Sequence, residues 1–310
     1  MHRISIAKMP IGRVIKSTGS WYDVKNDNGK VVSCRLRGKI RLDGLRTTNP
    51  VAVGDLVTFE KEHDKDTCVI DKILPRTNVI VRKSVNLSKE SHIIAANVNQ
   101  AILVATIAQP RTSTGFIDRF AVTAEAYHIP VVIVFNKCDI YNDEQNNVAK
   151  ELMRVYNGIG YQSFMVSAKT GYNCDRLESV MKNKISMFSG HSGVGKSALA
   201  NRMDPNLDIR VGEISEVHEK GKHTTTFAQM YELCFGGYII DTPGIKEFAL
   251  YDMEKETLAQ RFPEMRALMH DCRFNNCTHL HEPNCAIKEA VEQGRVANWR
   301  YENYHNMMND

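Results

Sequence analysis

The sequence lacks the features that would place the protein in a membrane or in a secretory pathway. It has no uninterrupted apolar run of about 18 residues, the length that a membrane-spanning helix needs. Met1-His2-Arg3 leads into no apolar segment of the kind found in signal peptides. Internal repeats and low-complexity segments are also absent, and 43% hydrophobic with 25% charged residues is an ordinary globular composition. We therefore expect a cytoplasmic protein of two or three domains with no membrane partner.

Cysteine content and net charge say little about which kind of partner or cofactor the protein binds. Of the eight cysteines, only Cys272, Cys277 and Cys285 lie close together. A tight cluster in a cytosolic chain favours a metal site over disulfides. The formal net charge of +4 is too small to indicate a polyanionic partner without a further pattern. Nothing in the sequence requires more than a monomer.

The hydrophobic pattern changes twice along the chain, which predicts three domains. Residues 11–74 carry short β-type runs separated by turn clusters, and this spacing predicts a small barrel or sandwich. From Gln100 to Phe248, near-continuous apolar runs alternate with helix-like stretches, as in an α/β domain with a parallel sheet. After Tyr251 the sequence becomes helical and polar. The predicted domains are 1–75, 76–250 and 251–310.

A phosphate-binding loop is predicted where the sequence matches the Walker A pattern G-x-x-x-x-G-K-S. A strand-like segment, ISMF, precedes the match and a helix-like segment, SALANRM, follows it. The glycines let main-chain N–H groups converge on a phosphate, and the helix N-terminus adds a favourable dipole. Lys196 is predicted to reach the β- and γ-phosphates, with the Ser197 hydroxyl on Mg²⁺. The predicted phosphate-binding residues are Gly190, His191, Ser192, Gly193, Val194, Gly195, Lys196, Ser197 and Ala198.

A second motif, Asn136-Lys137-x-Asp139, predicts which base is bound. A carboxylate such as Asp139 accepts two parallel hydrogen bonds from guanine N1–H and its exocyclic amine. Adenine lacks this pair, and a buried carboxylate without it costs roughly 1–3 kcal/mol. Asn136 is expected to tie the loop together, and the Lys137 stem to lie over the base. Ser167-Ala168-Lys169 follows the next strand, where the Ala168 N–H is expected to meet guanine O6.

The motif Asp241-Thr242-Pro243-Gly244 supplies the remaining part of a GTPase site. Asp241 is predicted to hold Mg²⁺ through water, and the Gly244 N–H to sense the γ-phosphate. The polar loop GKHTTTF precedes it. Thr225 is the expected Mg²⁺ ligand, with Thr224 and Thr226 as alternatives. Each threonine can equally be a solvated loop residue.

These motifs occur in an unusual order, because the base-reading motifs precede the phosphate loop. A GTPase domain whose old ends are joined through residues 170–183, and which is reopened after the Mg²⁺ strand, gives this order. The site survives because a parallel sheet holds its loops by packing. With NKCD, SAK, GHSGVGKS, GKHTTT and DTPG in sequence, the chain resembles, over nearly its whole length, the RsgA or YjeQ family of circularly permuted, small-ribosomal-subunit-dependent GTPases.

The resemblance implies the architecture and the activity. It implies a multidomain α/β protein with an N-terminal OB-fold β-barrel, a central circularly permuted P-loop GTPase domain and a C-terminal, mostly helical zinc-binding domain. It further implies a GTPase that binds the small (30S) subunit and its 16S rRNA late in maturation. Hydrolysis of GTP to GDP is then stimulated by the subunit and coupled to release. The chain runs from Gly244 directly into the C-terminal domain, so loss of the γ-phosphate is expected to move that domain.

The group that orients the attacking water is not the usual one. Ras-like GTPases carry a glutamine after the Asp-x-x-Gly element, and here Ile245 follows Gly244. Isoleucine neither donates nor accepts a hydrogen bond, so intrinsic hydrolysis is expected to be slow. His223 is the best internal catalytic candidate alongside Lys196, and the similar family has a histidine there. The alternative is that His223 is a solvated loop residue.

The C-terminal cysteines form the pattern Cys-x4-Cys-x-His-x5-Cys. Three thiolates and one imidazole suit a closed tetrahedral Zn²⁺ site of structural type. On spacing alone His281 can replace His279, and His270 is a weaker option; the family resemblance favours His279. Free cysteines on a small helical domain are the alternative, although a domain of about 60 residues with few large apolar side chains needs such a staple. The predicted ligands are Cys272, Cys277, His279 and Cys285.

A basic stripe in the N-terminal segment predicts the RNA contact. Alternate positions share one face of a strand, and a row of cations there can follow a phosphate backbone. Trp21 and Tyr22 are candidates for stacking on bases. A charge run is more often a solvated face, and it is the family resemblance that favours RNA binding. The predicted residues are Arg35, Arg37, Lys39 and Arg41.

Two rival functions are compatible with parts of the sequence. Ile245 is compatible with an RNA-binding switch that uses GTP only as a ligand and hydrolyses negligible amounts of it. The Walker A pattern alone is compatible with a P-loop kinase or ATPase. Asp139 and the Ser167-Ala168-Lys169 element argue against that second rival, and no separate substrate domain is visible.

Overall fold

A computed structural model describes residues 9–37, 50–62, 65–83, 91–207, 228–241 and 255–310. The chain divides into two compact units. The first comprises Met1–Asn99, Asn183–Met187 and Val217–Pro243, and the second comprises Gln100–Lys182, Phe188–Glu216 and Gly244–Asp310. The limits of the three domains predicted from the sequence stay predictions.

Five N-terminal strands of the first unit form a closed, OB-like barrel. Neighbouring strands pair antiparallel except β3 and β5, which are parallel, and pairing of β1 with β4 closes the barrel. Side chains alternate across each strand, so Val14, Tyr22, Val24 and Phe59 fill the interior. The small barrel predicted from the sequence is confirmed. Its strands are β1 (Ile11–Ser17), β2 (Tyr22–Asn26), β3 (Val31–Leu36), β4 (Leu56–Lys61) and β5 (Cys68–Ile73).

The first unit contains a further strand pair that the sequence pattern does not predict, and a small mixed sheet. β6 (Val79–Lys83) and β7 (Ser91–Ala96) are antiparallel to each other. In the mixed sheet, the middle strand (Tyr238–Asp241) is parallel to the strand Ile185–Ser189 and antiparallel to the strand Gln229–Glu232. The strand Gln229–Glu232 also pairs antiparallel with β1. In order, these strands are β11 (Ile185–Ser189), β13 (Tyr238–Asp241) and β12 (Gln229–Glu232), and the last two residues of β11 belong to the second unit.

Three parallel strands with flanking helices form the α/β part of the second unit, as the apolar runs predict. The strand order is β8, β9, β10, and every residue of β8 and β9 is buried, which is why these strands read as continuous apolar runs. The strands are β8 (Gln100–Ala105), β9 (Val131–Phe135) and β10 (Gln162–Met165). The helices are α1 (Thr114–Ala126), α2 (Asp143–Gly158), α3 (Cys174–Met181) and α4 (Lys196–Met203).

Side-chain caps fix where the first two helices begin. The Ser113 hydroxyl accepts a hydrogen bond from the Phe116 N–H at 3.2 Å and starts α1. Asn142 and Gln145 form a reciprocal capping box at the start of α2. Each helix thus starts shortly after a strand ends, which leaves a short loop at the carboxyl ends of β8 and β9.

The C-terminal helices pack on α1 within the second unit. Leu258, Phe262, Met265 and Tyr304 share an apolar cluster with Val122 of α1. Within the described residues, none of the helices has the length and apolar character needed to cross a membrane. The C-terminal elements are the 3₁₀ segment Lys255–Arg261 and the helices α5 (Pro263–Leu268), α6 (Ala286–Glu292) and α7 (Asn298–Asn309).

Candidate nucleotide and metal sites

The phosphate loop lies between the end of β11 and the start of α4, and two of its glycines are required by close contacts. Gly190 has φ 141° and Gly195 has φ 97°, conformations that L side chains rarely adopt. A Cβ on Gly190 would lie 2.2 Å from the Val104 oxygen, and one on Gly195 would lie 2.4 Å from Asn136 Nδ2. A side chain at either position would therefore clash with another segment of the chain as well as strain the backbone.

The lysine of the loop is held against the loop's own backbone. Lys196 is buried, and its Nζ donates to the main-chain oxygens of Gly190 and His191, both at 2.8 Å. Ser197 and Val194 are buried as well, and Ala198 is half-buried. His191, Ser192 and Gly193 are exposed. The ammonium and the exposed part of the loop thus lie on one short segment at the start of α4.

Asn136, at the end of β9, joins three loops of the predicted site. Its Nδ2 donates to the Val194 oxygen at 2.8 Å, and its Oδ1 accepts from the Ala168 N–H at 3.1 Å. The side chain is 1% exposed. The base motifs and the phosphate loop, far apart in the chain, are therefore connected through one amide. The Ala168 N–H is engaged by Asn136, so its contact with guanine O6 stays a prediction.

The carboxylate predicted to read the base is held by a serine. Asp139 Oδ1 accepts from the Ser167 hydroxyl at 2.6 Å, and Ser167 Oγ in turn accepts from the Thr170 N–H at 3.1 Å. Lys137 has φ 66°, and its Nζ donates to the Gln109 oxygen at 2.5 Å. Lys169, the last residue of the SAK element, is exposed.

A loop that the sequence pattern does not single out, residues 106–113, forms a wall of the site. Tyr141 donates to the Asn136 oxygen at 2.5 Å and accepts from the Ile107 N–H at 3.0 Å, so it bridges this loop and the base motif. Burial raises the pKa of Tyr141 to about 12, which keeps the hydroxyl a donor. Pro110 lies 3.6 Å from the Cβ position of Gly193. The sequence pattern does not predict the contacts of Ile107 and Pro110, because their partners Tyr141 and Gly193 are distant in sequence.

The predicted Mg²⁺ and water-orienting groups are only partly described. β13 ends at Asp241, at the carboxyl end of its parallel pair with β11, where Met187 stands opposite Ile240. Ser197 lies in the first turn of α4. The remaining predicted residues lie outside the described residues, so the Mg²⁺ shell, the γ-phosphate contact and the catalytic histidine stay predictions. They are His223, Thr225 with its alternatives Thr224 and Thr226, and Gly244.

The C-terminal Cys3His group has the spacing of a tetrahedral metal site. The ligand atoms of Cys272, Cys277, His279 and Cys285 all lie within 4.8 Å of one another. His279 Nδ1 is 3.5 Å from Cys272 Sγ and 3.4 Å from Cys285 Sγ. Tetrahedral Zn²⁺ with typical Zn–S and Zn–N lengths separates nitrogen from sulfur by about 3.6 Å. The donor set therefore fits Zn²⁺, whereas His281 is exposed and outside this group.

The electrostatics of this group favour a cation. Burial, together with the neighbouring Cys285 and Cys272 thiols, raises the pKa of Cys277 to about 12. Burial lowers the pKa of His279, which leaves a neutral imidazole able to ligate. A divalent cation among the sulfur atoms would reverse the cost of deprotonating them. The group is thus suited to bind a soft divalent metal and unsuited to carry free thiolates.

The basic stripe of the barrel is partly compensated. Arg35 pairs with Glu62, and Arg37 pairs with Glu60 and Asp71. Both arginine side chains are about half exposed, at 48% and 54%. Lys39 and Arg41 lie outside the described residues. Arg35 and Arg37 therefore present less net positive charge than the sequence suggests, and their role in RNA binding stays a prediction.

Comparison with known proteins gives the family. A family model described as RsgA GTPase matches residues 73–251, and one described as RsgA N-terminal domain matches residues 11–69. This chain belongs to the RsgA GTPase family. It is a GTP-hydrolysing enzyme, and the base-first motif order reflects the circular permutation predicted from the sequence.

Relatives within the family match nearly the whole chain. The small ribosomal subunit biogenesis GTPase RsgA 2 of Bacteroides thetaiotaomicron is 50% identical over 299 residues, which cover 96% of both chains. The RsgA of Christiangramia forsetii is also 50% identical and covers 96% of this chain and 95% of its own. The crystal structure of YjeQ from Thermotoga maritima, 37% identical, gives a TM-score of 0.79 over 97% of this chain and 98% of that chain. YloQ, described as a circularly permuted GTPase, is 31% identical with a TM-score of 0.76 over 100% and 97% of the two chains.

Proposed function

We propose that this GTPase binds the small ribosomal subunit late in its maturation, hydrolyses GTP when the subunit stimulates it, and leaves in the GDP state. The observation that carries this proposal is the shared name of relatives that are 50% identical over 96% of this chain, small ribosomal subunit biogenesis GTPase. The base motif, the SAK element and the phosphate loop, joined through Asn136, supply the nucleotide site that such a cycle needs.

In the proposed site Asp139 reads guanine and Lys196 neutralises phosphate charge. The hydrogen bond from Ser167 supports this role, since it holds the carboxylate of Asp139 in one orientation. Mg²⁺ carried with GTP would be held by Ser197, Thr225 and Asp241, and the Gly244 N–H would sense the γ-phosphate. Equivalent residues have these roles in P-loop GTPases.

The absence of the usual glutamine supports stimulation by the subunit. Ile245 offers no hydrogen bond to water. His223 or a group of the bound subunit must therefore orient the nucleophile. A positioned group of this kind contributes about 10²- to 10⁴-fold to a rate, so turnover without the subunit is expected to be slow. We propose His223 as the group that the subunit positions.

The barrel and the metal group would make and stabilise the ribosome contact. We propose that Arg35, Arg37, Lys39 and Arg41 meet rRNA phosphates, with the acidic partners of Arg35 and Arg37 exchanged for phosphate on binding. We also propose that Cys272, Cys277, His279 and Cys285 hold one structural Zn²⁺. The sulfur and nitrogen spacing supports the second proposal.

The test measures phosphate release from GTP and from ATP, each with and without purified small subunits. GTP-specific turnover that rises by orders of magnitude with subunits is the expected result. His223→Ala should then remove most of the stimulated rate while leaving GDP affinity unchanged. Binding of GTP without stimulated turnover would favour the rival ligand switch that Ile245 allows, and equal use of ATP would contradict the role given to Asp139.

A further inference from the structure

A buried charged cluster joins α1 to the C-terminal helices. Asp118 on α1 is fully buried and accepts hydrogen bonds from Arg300, from Asn303 Nδ2 at 2.6 Å and from Tyr156 Oη at 2.8 Å. The same Arg300 guanidinium makes two hydrogen bonds to Glu264, at 2.7 and 2.9 Å. Neither the nucleotide motifs nor the metal group contains any of these residues.

This cluster fixes the orientation of the helices more strictly than an apolar contact does. Burial by itself lowers the pKa of the Arg300 guanidinium, but the charges of Asp118 and Glu264 outweigh burial and raise it. Arg300 therefore stays charged. Because both carboxylates use directed hydrogen bonds to Arg300, the helices cannot slide without leaving a buried charge unpaired. The cluster sets the position of α1 relative to α5 and α7.

The helix that carries Asp118 also touches the phosphate loop. The ring of Phe116, on the first turns of α1, lies 3.9 Å, centroid to centroid, from the ring of His191. Pro110, in the loop that leads into α1, lies 3.6 Å from the Cβ position of Gly193. A shift of α1 would therefore move the surface against which the exposed part of the phosphate loop rests.

The helix that carries Arg300 also contacts residues 272–285, which contain the four candidate metal ligands and are called the metal segment here. Tyr301 donates to the His279 oxygen at 2.7 Å, and Tyr304 donates to the Thr278 oxygen at 2.7 Å. Helix α7 thus contacts the backbone next to the candidate metal ligands, while Arg300 and Asn303 of the same helix contact Asp118. The contacts form a continuous path from the metal segment through α7 and α1 to the phosphate loop.

We propose that Asp118 and Arg300 are positioning residues for nucleotide binding, which hold the phosphate loop through α1 and link its conformation, through α7, to the metal segment. The nucleotide half of this proposal needs only the described contacts. The metal half rests on the proposed zinc site. Any such coupling is reciprocal, so a ligand that stabilises one end favours binding at the other.

The nucleotide half is tested by titrating full-length variants with a fluorescent GDP analogue. Asp118→Asn keeps the side-chain shape but removes the charge that fixes Arg300, and we expect GDP affinity to fall about tenfold. The matched control is Met307→Ala. Met307 is a buried α7 residue in the apolar cluster that joins Val122 of α1 to the C-terminal helices, and it is not a partner of Asp118. It should lower the melting temperature while leaving the affinity within about twofold of wild type.

A double-mutant cycle shows whether the effect travels through α1. Phe116→Ala removes the contact with His191, and its combination with Asp118→Asn should weaken GDP binding less than the product of the single effects. If Asp118→Asn does not fold, Asn303→Ala, which removes one hydrogen bond to Asp118, should still weaken binding about threefold. Wild-type affinity in the folded Asp118 or Asn303 variant would overturn the proposal.

The metal half is tested by following zinc transfer to a chromophoric chelator from the zinc-loaded full chain. Saturating GDP should slow the transfer severalfold in the wild type and not in Asp118→Asn. The same rate with and without GDP in the wild type would overturn this half. Purified protein that contains no zinc would contradict the proposed zinc site instead, and the GDP titrations would still decide the role of Asp118.

Discussion

Replacing Asp139 by Asn should change the base that the site prefers. A carboxylate can accept from both the N1–H and the amine of guanine, and each charge-assisted hydrogen bond contributes about 1.5–3 kcal/mol. Asparagine keeps one acceptor but turns an N–H donor toward the guanine amine. The loss of about 3–4 kcal/mol corresponds to roughly 100- to 1000-fold weaker GDP binding. Xanthine carries a carbonyl where guanine has the amine, so the same asparagine pairs with it correctly.

The assay compares dissociation constants for GDP and xanthosine diphosphate in the wild type and in Asp139→Asn. The matched control is Ser167→Ala, which removes the 2.6 Å hydrogen bond that orients Asp139 but leaves both acceptors in place. That loss of about 0.5–1.5 kcal/mol should weaken GDP by roughly two- to tenfold and create no preference for xanthine. If Asp139→Asn kept GDP affinity and gained none for xanthosine diphosphate, Asp139 would not contact the base.

Two further substitutions test the phosphate loop and the metal segment. Gly195→Ala places a Cβ 2.4 Å from Asn136 Nδ2 at φ 97° and should weaken GDP binding more than tenfold. The control Gly158→Ala, whose Cβ would have no atom within 4 Å, should leave GDP binding unchanged. Equal GDP affinities of the two variants in calorimetric titrations would contradict this steric account. The pKa of Glu282 is lowered from 4.5 to about 2, because hydrogen bonds from the hydroxyl and N–H of Thr278 and from nearby N–H groups outweigh burial. Since the pKa of Glu282 is depressed in the folded state, the ionised carboxylate stabilises the fold above about pH 4.5, and this stabilisation is lost as the pH falls toward 2. Glu282→Gln should therefore lower the free energy of unfolding by about 1 kcal/mol at pH 7, with the difference shrinking below pH 4.5 in urea titrations; a pH-independent difference would contradict the assignment.

The C-terminal segment is connected to the rest of the GTPase in two ways. In the sequence, that segment is the continuation of the Mg²⁺ motif. In the structure it also packs on α1, through Val122 and Asp118. A covalent linker passes on a displacement only as far as its own residues move, whereas a packed and hydrogen-bonded helix moves as a rigid element. The GTPase domain and the metal segment are therefore joined in two independent ways.

Short local sequence patterns predict both the identity of the nucleotide and the approximate fold. The Walker A pattern and the NKCD and SAK elements each need only a strand, a short loop and a few side chains, all supplied by neighbouring residues. Continuous apolar runs such as β8 and β9 indicate parallel strands because such strands are buried on both faces. Short alternating runs indicate the barrel because each such strand has one buried face.

The tertiary structure alone decided which distant groups meet. Arg35 and Arg37 read as a bare cationic stripe in the sequence, but strand pairing in the barrel sets Glu62, Glu60 and Asp71 beside them. Asp118 reads as an ordinary helix residue, and only the packing of α7 on α1 buries it against Arg300. Contacts of this kind depend on the register and packing of segments far apart in the chain, and local sequence carries no signal for them.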